Sequence, residues 1–197
     1  EGLSGTGPKA GGPRYVQRFT KPYRYAGDLP PAATVSLAEA QRLIDETHHP
    51  VPAALMIQDM PGPTGESNRL AVWPRGLVLC LGPSLEAARA QAGAARRVGC
   101  PAVIISAGAQ GPGCIDGQLE RRALASLQGL EVVALSSPDD DLRLARMAIA
   151  SRPGKIIPLV AGDNLEQYCL VERHTCIDTT AAGGNATLLT AIEDEGS

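Results

Sequence analysis

Aromatic side chains are scarce: one Phe, one Trp and four Tyr make up 3% of the 197 residues. With 44% hydrophobic content a core can still form, but it has to be built from Ala, Leu, Val and Ile. Charge of one sign is also missing. Eighteen basic residues stand against 21 acidic ones, a net charge of −3, which supplies no electrostatic drive toward nucleic acid or an anionic membrane. No apolar run approaches the ~18–20 residues of a membrane span. The opening Glu1-Gly2-Leu3-Ser4-Gly5 lacks the basic head and apolar stretch of a signal peptide. It also lacks an initiator Met, from which the chain is expected to begin inside a longer polypeptide. The five cysteines are an odd number without a Cys-x-x-Cys pair, so a disulfide framework is not expected and a reducing cytosol fits better.

What the chain does contain is an α/β cadence. Gly76-Leu77-Val78-Leu79-Cys80-Leu81-Gly82 reads as a strand buried on both faces. Ser84 then caps a helix to about Val98, with Glu86 in its first turn, and Ala102-Val103-Ile104-Ile105-Ser106 is the next strand. Strand, helix, strand is a right-handed βαβ unit with parallel strands. Further on come a helix over 118–127, a strand over 131–135, and a helix to about Ser151 with Ser137 as cap and Pro138 at its first position. A strand over 155–160 follows, where Pro158 signals an edge or a bulge. Upstream, Ser36 and Glu39 form a capping box for a helix to about Thr47, with Leu37, Ala40, Leu43 and Ile44 as its buried face. In the later helix the stripe Leu142, Ala145, Met147 and Ile149 reads as mostly core packing. Residues 14–19 read as a short strand, 21–34 as an extended connector, and Arg69-Leu70-Ala71-Val72-Trp73 as a strand. A long strand over 168–178 looks like one arm of a flap. The fold class is therefore α/β: a small Rossmann-like, mostly parallel sheet of about four or five strands with flanking helices, a β-flap and extended Gly/Pro-rich terminal segments.

Candidate sites are few. The five glycines of residues 2–13 invite a phosphate-loop reading, but Lys9 is followed by Ala10 and Gly11, which breaks the G-x-x-x-x-G-K-[ST] pattern. After the first core strand the sequence is Gly82-Pro83-Ser84-Leu85-Glu86-Ala87 instead of G-x-G-x-x-G, and Glu86 would repel a pyrophosphate, so NAD is not expected to bind here. His48 and His49 diverge by about 100° on a helix and have no partner four residues away, which suits a polar helix end better than a metal site. Loops 62–68 and 108–117 could engage a small molecule or nucleotide through backbone amides. This keeps open an independent ligand-binding α/β domain. Cys80 sits in the buried strand, Cys100 opens the next, and Cys114 lies in the loop of four glycines. Cys169 and Cys176, seven apart on one strand, face opposite ways. His174 and Cys176 share a face, so a cysteine-enzyme reading through Cys176 or Cys114 also stays open. Thr179 to Leu189 is rich in small residues and lets a partner's backbone approach closely.

Three separated stretches carry a resemblance. Ser4-Gly5-Thr6-Gly7-Pro8-Lys9-Ala10-Gly11-Gly12-Pro13 resembles the motif near the end of the aldehyde dehydrogenase module of the bifunctional proline utilization A flavoenzymes. Residues 61–68 and then 74–82 are similar to the next region of the longer members, and Asp178-Thr179-Thr180-Ala181-Ala182-Gly183-Gly184-Asn185-Ala186 resembles their C-terminal motif. The resemblance implies a parent enzyme that oxidises proline on FAD and passes the product through a tunnel to an NAD-dependent L-glutamate γ-semialdehyde dehydrogenase. Both catalytic sites would lie upstream of residue 1, so no catalytic, cofactor or metal residue is expected in this segment. Residues 1–20 would end the aldehyde dehydrogenase module, and 21–68 would be a connector with one helix. Residues 69–166 would form a Rossmann-like domain that has lost its own chemistry, 167–192 the flap and docking motif, and 193–197 a tail. Ser4, Gly5, Thr6, Gly7, Lys9, Gly11 and Gly12 would contact the upstream module. Thr179, Thr180, Ala181, Gly183, Gly184 and Asn185 would cover the tunnel. The resemblance also allows a homo-oligomer, and a cytoplasmic parent peripheral at the inner face of the bacterial membrane.

Overall fold

The computed structural model describes residues 32–47 and 50–178. The chain opens with strand β1 (Thr34–Val35), helix α1 (Leu37–Glu46), and strands β2 (Met56–Met60), β3 (Glu66–Pro74) and β4 (Val78–Cys80). Helix α2 (Leu85–Arg97) leads to β5 (Ala102–Ser106), β6 (Cys114–Asp116) and β7 (Gln118–Leu119), then a 3-10 turn over Arg121–Ala125. Strand β8 (Val132–Ala134), α3 (Asp139–Ala150), β9 (Leu159–Val160), α4 (Leu165–Tyr168) and β10 (Leu170–Asp178) complete it. The described residues fall into two compact units: the first holds residues 32–47, 50–53 and Pro74–Val171, and the second Ala54–Trp73 and Glu172–Asp178.

The first unit is built on a five-stranded sheet of order β6-β5-β4-β8-β9, with every pair parallel. Its strands are buried on both faces, so successive side chains feed two separate cores. On one face Leu79, Val103, Ile105 and Val133 meet Ala40 and Ile44 of α1 and Leu142, Ala145 and Ile149 of α3. On the other, Val78, Cys80, Ile104 and Val132 meet Ala88, Ala92 and Ala95 of α2. Local chemistry starts the helices where the sequence says they start. The Ser36 hydroxyl accepts from the Glu39 amide at 3.2 Å while the Glu39 carboxylate accepts from the Ser36 amide at 3.0 Å. The Ser84 hydroxyl caps the Ala87 amide at 3.2 Å.

The second unit is a three-stranded sheet of order β10-β3-β2. Strands β2 and β3 are antiparallel, and the directly opposed Asp59 and Arg69 form an ion pair at 3.0 Å. The Arg173 guanidinium lies 5.2 Å from the centre of the Trp73 ring.

Several expectations need correction. The stretch 118–127 is not an α-helix: Gln118–Leu119 pair in parallel with Thr34–Val35, and only Arg121–Ala125 turn, as 3-10. The Gln118 amide is drawn to the Ala33 carbonyl at 2.7 Å, and this long-range pairing overrides helix propensity. The loop 108–117 contains edge strand β6, the connector contains β2, and β3 begins at Glu66 inside the presumed 62–68 loop. Strand 155–160 shortens to Leu159–Val160, at a sheet edge as Pro158 signals. Pro138, not Ser137, occupies the N-cap of α3 and makes no side-chain cap. Tyr168 and Cys169 belong to α4 and its C-cap, outside the long strand. Leu37 and Met147, assigned to buried faces, are 43% and 59% exposed. The readings of 14–19, most of 21–34, His48 and His49 lie outside the described residues.

Gly117, at φ +142°, is where β1 comes close: a Cβ there would stand 2.6 Å from Val35 Cγ2 and 2.7 Å from the Ala33 carbonyl oxygen. Gly117→Ala is therefore expected to cost about 1–3 kcal/mol of stability, read as a lower urea midpoint at unchanged slope. An unchanged midpoint would show that the β1–β7 pairing is not stabilising.

Candidate functional site

In an open parallel sheet, ligands bind beyond the strand carboxyl ends where the strand order reverses. Here that point lies between β4 and β8, since β5 continues on one side of β4 and β8 on the other. The two loops there are bonded to each other: the Leu81 amide donates to Ala134 O and the Ser136 amide to Gly82 O, both at 2.9 Å. The Gly82 amide, the first donor a phosphate would need, donates to Gln91 Oε1 at 3.1 Å. With the Ala87 amide held by Ser84 and Glu86 in the first turn of α2, the anion-binding potential of this helix start is largely used internally. Gly82 itself is at φ +78°, and a Cβ would stand 2.5 Å from Ser84 O.

The two Gly-rich loops also spend their polar groups on themselves. In 108–117 the Gly108 amide donates to Asp116 Oδ1 at 2.6 Å, the Ala109 amide to Ser106 O at 3.0 Å and the Gly117 amide to Ser106 O at 3.3 Å. In 62–68 the buried Asn68 side chain closes over Gly62 and donates to Glu66 Oε1 at 3.0 Å. A cavity of about 690 Å³ lies elsewhere in the first unit, between the 3-10 turn and α3, with Arg121, Asp141, Leu144 and Met147 in its wall and neither loop lining it.

The Cys176 reading meets a specific obstacle. Its thiol donates to Glu66 Oε1 at 2.9 Å across β10 and β3. This bond, together with the Asn68 amide, lowers the Glu66 carboxyl below its ordinary 4.5. The same carboxylate raises the Cys176 thiol above 9.0. A thiol paired with a carboxylate is a poor nucleophile at neutral pH. Cys114 is only part-buried and donates to Pro112 O at 3.7 Å. Among the described residues no group of three or more His, Cys, Asp and Glu could hold a metal ion. The tunnel-cover residues Thr179, Thr180, Ala181, Gly183, Gly184 and Asn185 lie outside the described residues, as do Ser4, Gly5, Thr6, Gly7, Lys9, Gly11 and Gly12.

Sequence reading passes over one further assembly. Cys100 and Cys169, separated by 69 positions, meet in the core, where Cys100 Sγ donates to Cys169 O at 3.1 Å. Burial pushes neighbouring Cys80 up to about 12. Interaction with the Cys169 side chain holds Cys100 down at about 7, while the Cys100 sulfur and burial raise Cys169. No spacing rule brings such a pair together; only the fold does.

The Glu66–Cys176 bond has a pH signature. Because the folded Cys176 thiol titrates above 9.0, its hydrogen-bond contribution is present below that pH and lost as pH rises through the folded value. The lowered Glu66 contributes above its unfolded 4.5 and is lost as pH falls through its folded value. Iodoacetamide labelling of Cys176 at pH 8 is expected to be slower than in a denatured control, and Glu66→Gln is expected to speed it. Equal rates in the native and Glu66→Gln proteins would remove the bond from the account.

No family model matches the sequence. The Bifunctional protein PutA of Salmonella typhimurium is 30% identical in a 234-position alignment that covers 96% of this chain and 17% of that protein. The Bifunctional protein PutA of Escherichia coli is 29% identical over 237 positions with the same coverage. The chain thus spans 17% of the length of these curated relatives. A crystal structure of a bifunctional proline utilization A protein matches 54% of this chain and 13% of that one, with 25% identity and a TM-score of 0.43. Along almost its whole length, this chain is a homologue of one segment of the bifunctional proline utilization A proteins.

Proposed function

We propose that this chain is a non-catalytic segment of a longer bifunctional enzyme that converts proline to glutamate. In this reading it packs on an NAD-dependent L-glutamate γ-semialdehyde dehydrogenase module of the same polypeptide, stabilising that module and covering the tunnel that delivers its substrate. Thr179, Thr180, Ala181, Gly183, Gly184 and Asn185 serve as the cover, and residues 4–12 as the contact loop. FAD and NAD belong to the parent's other domains, and the parent works in the cytoplasm.

The observation that carries the reading is the match of 96% of the chain to one 17% stretch of proteins named as bifunctional. Two local features support it. The switch-point amide of Gly82 is taken by Gln91, and the Cys176 thiol is held by a carboxylate, so the usual places for a dinucleotide and a nucleophile are already occupied by the chain's own groups.

The test is to delete residues 178–197 from the parent polypeptide and follow proline oxidation, semialdehyde oxidation and release of the intermediate separately. Loss of the cover is expected to slow semialdehyde oxidation roughly tenfold or more, since small displacements of positioning groups cost that much, and to release intermediate into solution. Proline oxidation should be unaffected. Unchanged kinetics in all three assays would reject the reading, as would NAD-dependent aldehyde oxidation by the 197-residue chain alone.

A further inference from the structure

The two cores of the first unit differ in one chemical respect. The face covered by α1 and α3 is hydrocarbon, whereas the face covered by α2 carries Cys80, Cys100 and Cys169, all at most 1% exposed. Cys100 stands just before β5 and Cys169 at the end of α4, and both are free thiols. Their backbones are pinned independently of each other. The Cys100 amide donates to Ala95 O at 3.0 Å, and Cys169 O accepts from the Arg75 amide at 2.7 Å. Arg75 Nε adds a bond to Tyr168 O at 2.9 Å. Against this fixed frame Cys100 Sγ reaches Cys169 O at 3.1 Å, which brings the two cysteines into contact. Contacting cysteines on a held backbone are the starting point for a disulfide, since the bond tolerates little displacement of its attachment points.

We propose that Cys100 and Cys169 form an oxidation site, which a peroxide converts into a disulfide closing a loop of 69 positions across the base of the sheet. The Cys100 thiolate attacks the peroxide, the O–O bond breaks, and one oxygen stays on sulfur as a sulfenic acid while the other leaves as water with the thiol's proton. The Cys169 sulfur then attacks the sulfenic sulfur, the S–O bond breaks, and a second water leaves with the Cys169 proton. Two thiols and one peroxide become one disulfide and two waters. Cys100, whose thiol is held down at about 7, is the attacking member. Cys80, in the same core but with its thiol pushed up to about 12, is not a competitor. The inference does not depend on the function proposed above.

The experiment treats the folded full chain with hydrogen peroxide, blocks remaining thiols with N-ethylmaleimide in denaturant, and maps the digest by mass. The expected product is a Cys100–Cys169 cross-linked peptide, reversible by dithiothreitol. It should form after the exposed Cys176 has reacted, because burial slows access. It should also raise Tm by about 5–10 °C through restriction of the unfolded chain. The double variant Cys114→Ser, Cys176→Ser leaves the buried cysteines intact and should retain both the cross-link and the Tm rise. Cys169→Ser should lose both. If Cys169→Ser does not fold, the cross-linked peptide in the double variant decides the matter alone. A Cys80–Cys169 or Cys80–Cys100 cross-link, separate sulfinic acids on Cys100 and Cys169, or both residues still fully alkylated after peroxide exposure many times longer than Cys176 needs for complete oxidation would each overturn the proposal.

Discussion

One face of the first unit's sheet is covered by an alanine seam. Ala88, Ala92 and Ala95 of α2 have no exposed surface and press against Val78, Cys80, Ile104 and Val132. Side chains that end at Cβ let the helix backbone come close to the sheet, so the sheet face is covered without aromatic bulk. The opposite face is filled with branched side chains: Leu79, Ile105 and Val133 against Ile44, Leu142 and Ile149. Strand β4, fully buried on both sides, feels both constraints at once, and every strand order that leaves it at an edge would expose it. The five-stranded order with β4 at the centre follows from that requirement.

A parallel sheet leaves its loops to settle their own polar groups, and here they do so with little left over. Gln91 takes the Gly82 amide and Asp116 takes the Gly108 amide; in the second unit, Glu66 of β3 holds both Asn68 and Cys176. From the 3-10 turn, Arg121 Nε shares its hydrogen between both carboxylate oxygens of Asp141 on α3, and Arg121 also donates to Leu119 O at 3.0 Å. With only 10% of the Arg121 side chain exposed, this pair is a structural fastener whose loss of one partner would strand a charge. Groups engaged in this way hold their loops and elements to one another.

Elements were legible where a local signal and a tertiary demand coincide. The Ser36–Glu39 box and the Ser84 cap are short-range chemistry, and they start α1 and α2 where expected. The apolar runs at 78–80 and 102–106 needed only to be buried. Strand β2 had no such signal: all five residues of Met56-Ile57-Gln58-Asp59-Met60 are exposed, without alternation, and the strand exists because β3 pairs with it. The stretch 118–127 carried the opposite hazard. Its Leu119, Leu124 and Leu127 are buried as a helical stripe would have them, yet Gln118 and Leu119 are used by β1. Of the candidate cysteines, the weighed pairing of Cys176 with His174 gave way to Glu66. That carboxylate comes from a different strand, 110 positions away.

By itself the sequence determined the α/β class, the helix starts, the two-sided burial of the central strands and the resemblance to the proline utilization A proteins. All of these rest on local periodicity, capping chemistry or contiguous motifs. The tertiary structure alone decided the strand order, the hydrogen-bonded closure of the switch point, the Glu66–Cys176 bond and the meeting of Cys100 with Cys169. Each of those joins groups far apart in the chain. Such contacts form only once burial has paid the entropy of bringing them together, and no short window of residues records them.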